Sequence, residues 1–232
     1  MHMGNLGEEM RWFFVAALSV QMLFASPEEE GALKIQVLSH LPTIDGWCSN
    51  EKAVHFIDLI FQEKPKVWVE IGVFGGSSLF PVLSTFKYLG EGKAYAIDPW
   101  DKFETIRYFD PMLEEVDLNW WGNLNMNHIY QSFLKMLGHF QLQPYCVVLR
   151  KTAEKAVLEL PEIDVLYLDG NHAEFPSLQD AQNYLPKVRK GGYIWFNDSH
   201  WVQRQAAIEW LLLSCDVVKV IENGNCILLR KR

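Results

Sequence analysis

Short apolar runs alternate with amphipathic stretches along most of this chain. Runs typical of buried strands occur as VWVEIG near residue 67, AYAID near 94, YCVVL near 145, DVLYLD near 164, GYIWFND near 192, VVKVI near 217 and CILLR near 226. Helical patterns lie between most of them, for example at residues 130–140 and 178–188. The alternation predicts an α/β fold with a doubly wound, mostly parallel seven-stranded sheet covered by helices.

The stretch before the first of these runs has the signals of a helix at residues 51–63. Its apolar residues recur on one helical face, and they are Ala53, Phe56, Ile57, Ile60 and Phe61. Ser49 and Asn50 are helix-capping residue types at the expected start. Lys64-Pro65 ends the pattern, because proline cannot continue a helix.

Only ENGN, residues 222–225, separates the last two apolar runs. Asn223-Gly224 is a strong signal for a tight hairpin turn, since both residue types accept a positive φ. A hairpin joins antiparallel strands, so the final strand is predicted to run antiparallel to its neighbour.

The amino terminus carries an uncharged apolar run at residues 12–25, after a Met-Arg pair and before a Ser-Pro-Glu-Glu-Glu stretch. This profile is typical of a secretory signal, which would make the protein exported or membrane-associated. The alternative is an apolar helix or an extended start of a cytoplasmic protein, and Glu8 and Glu9 count against a clean signal. As a helix the run would reach only about 21 Å, short of a ~30 Å hydrocarbon core, so no stable membrane span is expected.

The rest of the chain has no low-complexity linker and no internal repeat, which favours one main domain. We expect a signal-like or apolar segment at residues 1–30, a helical segment at 31–66 and the α/β domain at 67–232, with an insertion at 99–144. The insertion is either a lid lined by rings over a planar or sugar-like ligand, or a helical element with its own small core. Its aromatic residues are Trp100, Phe103, Tyr108, Phe109, Trp120, Trp121 and Tyr130.

Composition narrows the function classes. The net charge is 21 − 29 = −8, which disfavours nucleic acid as a partner, because binding a phosphate backbone needs a basic surface. The cysteines form no CxxC pair and have no histidine at zinc spacing, so they are predicted to be isolated small hydrophobes. A disulfide is conceivable only in an exported chain. The four positions are Cys48, Cys146, Cys215 and Cys226.

Polar residues cluster where the predicted strands end, which is where open α/β sheets bind ligands. After the first strand, VEIGVFGGSS runs from Glu70 through three glycines into a pair of serines. Glycines let a ligand approach the backbone, and the following helix offers N–H groups to a negative charge. The pattern is neither G-x-G-x-x-G nor a P-loop. A carboxylate before the glycines would repel a pyrophosphate and suits a ligand that carries an ammonium group.

The next two strands end in compatible groups. The second ends in Asp98, where an acid can accept hydrogen bonds from both hydroxyls of a ribose, although a cap or turn residue before Pro99 would also explain it. Thr152 and Ala153 follow the third strand, where they can line an adenine pocket. The fourth strand ends in YLDGNH, residues 167–172, for which an ordinary turn, a metal ligand with its neighbours, and a catalytic base beside a cofactor all compete.

VEIGVFGGSS, AIDPW, YLDGNH and KGGYIWFND, in this order, resemble the class I S-adenosylmethionine-dependent methyltransferases. More narrowly, they resemble the small-molecule O-methyltransferase branch that includes catechol, caffeoyl-CoA and macrolide-sugar enzymes and the cephalosporin-hydroxylase-like group. The resemblance covers roughly residue 47 to the carboxyl terminus. It implies a Rossmann-like methyltransferase fold and methyl transfer from S-adenosylmethionine to the hydroxyl of a small molecule. Whether the protein forms a homo-oligomer stays open.

The resemblance also implies roles for single positions. Residues that would hold the methionine end of the cofactor are Glu70, Gly72, Phe74, Gly76 and Ser78, with Ser78 at the carboxylate. Asp98 would bind the ribose, and Thr152 and Ala153 would face the adenine. In metal-dependent members, an acid ending the fourth strand and an acid–amide pair ending the fifth hold magnesium, and here these are Asp169, Asn197 and Asp198. The pair is Asn-Asp where the catechol type has Asp-Asn, which leaves metal use open.

His172 lies three residues after Asp169, where the catechol-type enzymes carry a lysine that removes the substrate proton. An imidazole with an ordinary pKa of ~6.5 is a better base near neutrality than a lysine at ~10.4. His200, two residues beyond Asp198, is a second candidate for base or substrate contact. For either histidine the alternative is a hydrogen-bonded structural residue.

Two other function classes stay open. A nicotinamide-dependent oxidoreductase would use a similar sheet, but it needs the glycine fingerprint that is missing here, and it has no evident use for Glu70. A non-catalytic small-ligand binding protein would suit an exported chain, because S-adenosylmethionine is made in the cytosol.

Overall fold

A computed structural model describes residues 26–108 and 115–232. The apolar run at 12–25 and Phe109 lie outside these residues, so the two interpretations of the amino terminus stay predictions. By its internal contacts the chain divides into a short unit, Met1–Gln36, and a large unit, Val37–Arg232. Within the described ranges, no helix is both long enough and apolar enough to cross a membrane.

Helix α1, Pro27–His40, begins with reciprocal capping by two side chains. The hydroxyl of Ser26 accepts from the Glu29 N–H at 3.2 Å, and the Ser26 N–H donates to Glu29 Oε2 at 2.7 Å. Glu30 and Lys34, one turn apart, form an ion pair at 2.6 Å. Local sequence therefore accounts for the start of this helix.

Seven strands form one sheet in the order β3-β2-β1-β4-β5-β7-β6. Strands β1 to β5 pair in parallel, and β7 pairs antiparallel with both β5 and β6. The predicted doubly wound sheet with an antiparallel last strand is confirmed. The strands are β1 Val67–Ile71, β2 Lys93–Ile97, β3 Cys146–Leu149, β4 Ile163–Leu168, β5 Val188–Asn197, β6 Cys215–Ile221 and β7 Cys226–Lys231.

The turn between β6 and β7 uses the predicted hairpin residues. A short 3₁₀ turn, Glu222–Gly224, joins the two strands. Asn223 and Gly224 have φ values of 54° and 97°, the left-handed conformation that these two residue types accept at low cost.

Eight helices in the described part of the large unit connect the strands or lie beside them. They are α2 Asn50–Glu63, α3 Leu79–Leu89, α4 Lys102–Ile106, α5 Glu115–Asn123, α6 Met126–His139, α7 Ala153–Ala156, α8 Glu174–Tyr184 and α9 Gln205–Leu212. Helix α2 agrees with its prediction, and the Ser49 hydroxyl caps it by accepting from the Lys52 N–H at 3.0 Å.

Helices α6 and α8 both begin four residues earlier than the predicted 130 and 178. Their first turns, MNHI and EFPS, mix apolar and polar residues, so the periodic pattern alone does not place the start. In α6 the Asn125 side chain caps the helix by accepting from the His128 N–H at 3.0 Å. Helix α8 ends before residue 188 because Pro186 falls in a 3₁₀ turn, Leu185–Lys187, that leads into β5.

Aromatic side chains hold α2 against the sheet. The ring of Phe56 meets the rings of Trp68, Tyr167 and Trp195, with centroids 5.1, 5.3 and 5.2 Å away. All four residues are fully or almost fully buried. Each edge-to-face contact stabilises the fold by about 0.5–1.5 kcal/mol beyond the effect of burying apolar area. The contacts bring the first turn of α2 to the carboxyl ends of β4 and β5.

The four cysteines are all free, as predicted, and two of them, Cys215 and Cys226, are buried. Burial raises the pKa of Cys48 and of Cys146 to about 12. All four thiols therefore stay protonated near neutrality, which fits packing rather than chemistry.

The turn after β1 has a packing reason for its first glycine. Gly72 has a φ of +83°, and a Cβ placed on it would lie 2.0 Å from the carbonyl oxygen of Asp169. The Asp169 N–H donates to the Ile71 carbonyl at 3.0 Å, so the ends of β1 and β4 lie in direct backbone contact. Gly72 is thus required by the approach of two strands, whatever ligand it meets.

We expect Gly72→Ala to lower the free energy of unfolding by about 3 kcal/mol or more, because the added methyl group must displace backbone. Gly90→Ala is the matched control: Gly90 also has a positive φ, +71°, but a Cβ there would meet nothing within 4 Å. The control should lose only about 1–2 kcal/mol, the cost of the left-handed backbone. Urea unfolding of both variants measures the difference, and equal losses would contradict the packing argument.

Candidate functional site

The carboxyl ends of the parallel strands open into a cavity of about 1000 Å³. This is the upper end of the range for small-molecule sites, so it has room for two ligands side by side. Ten of the predicted site residues line it: Gly72, Phe74, Ser78, Asp98, Thr152, Ala153, Asp169, His172, Asn197 and Asp198. Glu70, Gly76 and His200 are not among the described lining residues.

Glu70 lies directly behind the wall of the cavity. Its side chain is fully buried, and its Oε1 accepts from the hydroxyl of the lining residue Ser78 at 2.6 Å. Its second oxygen, Oε2, has no hydrogen-bond partner among the described residues. Burial raises the pKa of Glu70 well above its ordinary value. An unpartnered buried carboxylate oxygen is the group that a cationic ligand atom would satisfy.

Two other predicted residues lie elsewhere. A Cβ on Gly76, which has a φ of +92°, would come within 2.7 Å of Phe133 and Met136 of α6, so this glycine serves the packing of α6 on the turn. His200 is exposed, and its ring contacts Trp201 at a centroid distance of 6.3 Å. The geometry therefore favours His172 over His200 as the residue that faces a ligand.

Asp98 holds the glycine turn in place. Its Oδ2 accepts from the N–H groups of Val73 and Phe74 at 3.1 and 3.0 Å, and its Oδ1 accepts from the Trp100 N–H at 2.7 Å. Burial raises the pKa of Asp98 above its ordinary value, and these three N–H groups act in the opposite direction. The carboxylate both shapes the turn and faces the cavity between the β1 and β2 loops.

Thr152 and Ala153 lie where β3 gives way to helix α7. The Thr152 hydroxyl is buried, makes no side-chain cap and has no hydrogen-bond partner among the described residues. A buried hydroxyl without a partner costs free energy, and a polar ligand edge in the cavity would remove that cost.

A chain of hydrogen bonds crosses the floor between β4, β5 and α2. The Asn197 amide donates from Nδ2 to Asp169 Oδ1 at 2.9 Å, and its Oδ1 accepts from Lys52 Nζ at 2.6 Å. Asp169 also accepts from the Tyr167 hydroxyl at 3.0 Å. Lysine can only donate and a carboxylate can only accept, so this orientation of the Asn197 amide is the one that satisfies both neighbours.

His172 lies beside two carboxylates. Its Nε2 is 3.3 Å from Asp198 Oδ2 and 3.8 Å from Asp169 Oδ1. The ring packs edge-on against Trp201 at 5.0 Å, which limits its rotation. With Nε2 carrying its proton toward Asp198, Nδ1 is the ring nitrogen left to accept a proton. Asp198 itself has a φ of 50°, so the turn after β5 is strained where it positions this carboxylate.

The residues do not fit magnesium as the resemblance implied. The Asn197 oxygen, which should be a ligand, is engaged by a lysine. Among the described residues, the group that could surround a cation is instead Asp169, His172 and Asp198, whose ligand atoms lie within 4.8 Å of one another. Magnesium prefers oxygen ligands, and an ion held by this imidazole would remove the predicted base.

Sequence reasoning missed Lys52 and Glu222, which also line the cavity. Lys52 Nζ lies 3.2 Å from Glu222 Oε2, an ion pair whose geometry is not that of a hydrogen bond. A signal for Lys52 did exist: it lies four residues before Phe56, on the apolar face of its helix. Glu222 sits in the predicted turn and gave no such signal.

Asp180 of α8 was missed as well, and it lines the cavity near the loop after β4. Burial raises the pKa of Asp180 to about 7, and the charge of Arg204 acts in the opposite direction. A carboxylic acid that is partly protonated near neutrality can donate as well as accept a hydrogen bond at this wall.

The described aromatic residues of the insertion lie in two different settings. Trp100 is buried and packs on Tyr130 and Phe133, with centroids 4.8 and 5.3 Å away, which is a small core. Trp120 and Trp121 instead line the cavity together with Trp47. The ring of Trp47 meets Phe74, Trp120 and Trp121 at 4.9, 5.5 and 6.1 Å.

Solved structures of methyltransferases share this fold, among them the following three. A SAH-bound methyltransferase of Podospora anserina has a TM-score of 0.58 and 12% identity over 100% of this chain and 99% of its own. The O-methyltransferase of Bacillus cereus in complex with SAH has a TM-score of 0.57 and 12% identity over 94% and 97%. TomG of Streptomyces achromogenes, an O-methyltransferase involved in tomaymycin synthesis and solved with SAM, has a TM-score of 0.56 and 13% identity over 97% and 99%.

At these identities the likeness is one of fold, and no curated protein shows a significant match to the chain. A family model described as a methyltransferase domain matches residues 69–199, from within β1 to the turn that follows β5. The match spans more than half of the 232 residues and includes the carboxyl ends of β1 to β5. The chain therefore belongs to this methyltransferase domain family.

Proposed function

We propose that the protein transfers a methyl group from S-adenosylmethionine to a hydroxyl of a small molecule. The observation that carries the proposal is the order of groups around one cavity: the Glu70–Ser78 pair, Asp98, the Thr152 hydroxyl and the His172–Asp198 pair. The first three suit the successive parts of a nucleoside with an amino-acid tail, and the last suits deprotonation of an acceptor.

The chain's own groups can hold each part of the cofactor. The unpartnered Oε2 of Glu70 suits an ammonium group, and Ser78 at the start of α3 suits the carboxylate beside it. Asp98 keeps one acceptor site for a ribose hydroxyl, because its Oδ1 accepts from a single N–H group and has a further lone pair. The buried Thr152 hydroxyl and Ala153 would contact the adenine.

His172 is proposed as the general base for the acceptor. The cofactor supplies an electrophilic methyl on a sulfonium, and the electrons of the breaking C–S bond stay on sulfur. The new bond forms from the acceptor oxygen, whose proton passes to Nδ1 of His172. Asp198 at Nε2 holds the ring and stabilises the imidazolium that results. No magnesium ion is needed for this balance of atoms and charges.

The wall of the cavity also carries large rings. Trp47, Trp120 and Trp121 offer flat apolar surfaces at its wall, which suits a planar or sugar-like acceptor. This is the finer part of the proposal, and a methyl-transfer screen over catechols, sugars and hydroxylated natural products would identify the acceptor.

Calorimetry should detect saturable binding of S-adenosylhomocysteine to the wild type. Glu70→Gln should weaken it about tenfold or more, because a hydrogen bond to a charged group contributes roughly 1.5–3 kcal/mol. Since the pKa of Glu70 is raised, affinity for the ligand's ammonium should also increase as the pH rises above the ordinary glutamate pKa of ~4.3, and the variant should lose this part of the trend. Glu91→Gln, at an exposed position, is the control. A folded wild type that binds neither S-adenosylmethionine nor S-adenosylhomocysteine would exclude the proposed function.

With an acceptor from the screen, His172→Asn should reduce kcat by about 10²–10⁴-fold, the usual contribution of a general base. Binding of S-adenosylhomocysteine should stay within about threefold of wild type, which corresponds to less than ~0.7 kcal/mol. His200→Asn, at the exposed neighbouring histidine, is the matched control and should leave kcat unchanged. If His172→Asn instead weakens ligand binding and spares kcat, His172 belongs to the binding surface.

A further inference from the structure

Lys52 is a buried cation in the wall of the cavity. Only 2% of the residue is exposed, although it lies in the first turn of a helix whose neighbour Glu51 is exposed. The aromatic contacts of Phe56, one turn later, direct this face of α2 into the site. An ammonium group is rarely buried to this extent unless it is paired.

The partners of Lys52 are site residues. Its Nζ donates to Asn197 Oδ1 at 2.6 Å and pairs with Glu222 Oε2 at 3.2 Å. Glu222 is in turn fixed by the hydroxyl of Ser49, the capping residue of the same helix. The hydrogen bond to Asn197 and the ion pair with Glu222 both stabilise the charged form of this ammonium group.

The Asn197 oxygen that meets Lys52 is the atom that a divalent ion would need. With that oxygen engaged, the amide presents only its NH₂ group to Asp169, at 2.9 Å. An amide NH₂ repels a metal ion, so the three oxygen ligands implied by the resemblance are reduced to two carboxylates. The Lys52 ammonium group, fixed 2.6 Å from the Asn197 oxygen, would also repel a cation, and this repulsion is strong where the dielectric constant is low.

We infer that the Lys52 ammonium takes the place of the divalent metal ion in this site, so that methyl transfer proceeds without a metal. This inference rests on the proposed function. Lys52 is a positioning residue: through Asn197 it fixes the Asp169 carboxylate, and its charge favours the negative charge that develops on the acceptor oxygen. The site thus obtains its cation from the fold itself.

The test is a Mn²⁺ titration followed by electron paramagnetic resonance, with and without S-adenosylhomocysteine. The wild type should show no saturable binding at about 1 mM Mn²⁺, a concentration that fills any site with a submillimolar dissociation constant. Lys52→Met keeps the aliphatic stem, removes the charge and releases the Asn197 oxygen. It should gain one Mn²⁺ site that is at least about tenfold tighter, a difference of ~1.4 kcal/mol. Lys52→Arg, which keeps the charge, is the control and should gain none.

Two results would overturn the inference. One is stoichiometric Mn²⁺ binding by the wild type that Asp169→Asn abolishes. The other is a folded Lys52→Met variant that binds no Mn²⁺, which would mean that Lys52 does not exclude the ion. If Lys52→Met fails to fold, the turnover of the wild type is the deciding measurement. Turnover should be unchanged by chelation and should not increase on addition of Mg²⁺ or Mn²⁺. A requirement for either ion refutes the inference. Failure of the proposed function is seen separately, as absence of S-adenosylhomocysteine binding by calorimetry.

Discussion

The site depends on one buried guanidinium group, that of Arg204. Its Nη2 donates to the carbonyls of Leu168 and Asn197, the last residues of β4 and β5, at 3.1 and 3.3 Å. Its Nη1 donates at 3.3 Å to the carbonyl of Asn171, which lies in the loop between Asp169 and His172. Burial lowers the pKa of Arg204 and neighbouring acids oppose that shift, so the group stays charged. Two strand ends and the loop that carries His172 are thus tied to a single point.

This arrangement explains why the acids can crowd together. Asp169 and Asp198 both lie close to His172, and like charges at such distances are unfavourable unless cations compensate them. Arg204 lies beneath the two strand ends and Lys52 lies beside Asn197, so positive charge comes from two directions. On the inference above, Lys52 and Arg204 supply the positive charge that a bound ion supplies in a metal site. Both cations must stay paired, because an unpaired buried charge is strongly destabilising.

Packing and ligand binding use the same sequence signals in this protein. Gly72 and Gly76 were predicted from a ligand-binding pattern, yet each leaves space for protein atoms: the Asp169 carbonyl in one case and the rings and methyl groups of α6 in the other. Asp98 likewise ties down the glycine turn with the carboxylate that faces the cavity. Asn171, which had no predicted role, accepts from the Ala173 N–H at 3.0 Å and donates to the Thr105 carbonyl at 2.9 Å, and so connects the site loop to α4.

The sequence by itself determined the strand and helix order, the final hairpin and the set of strand ends that carry polar groups, because periodicity and turn chemistry are local properties. It could not show that Lys52 meets Asn197, 145 residues away, or that the amide between Lys52 and Asp169 is thereby oriented. Nor could it decide between His172 and His200, because tertiary packing sets the burial of each ring. Contacts between distant strands and helices decide burial, charge pairing and hydrogen-bond direction, and these decide which polar residues form the site.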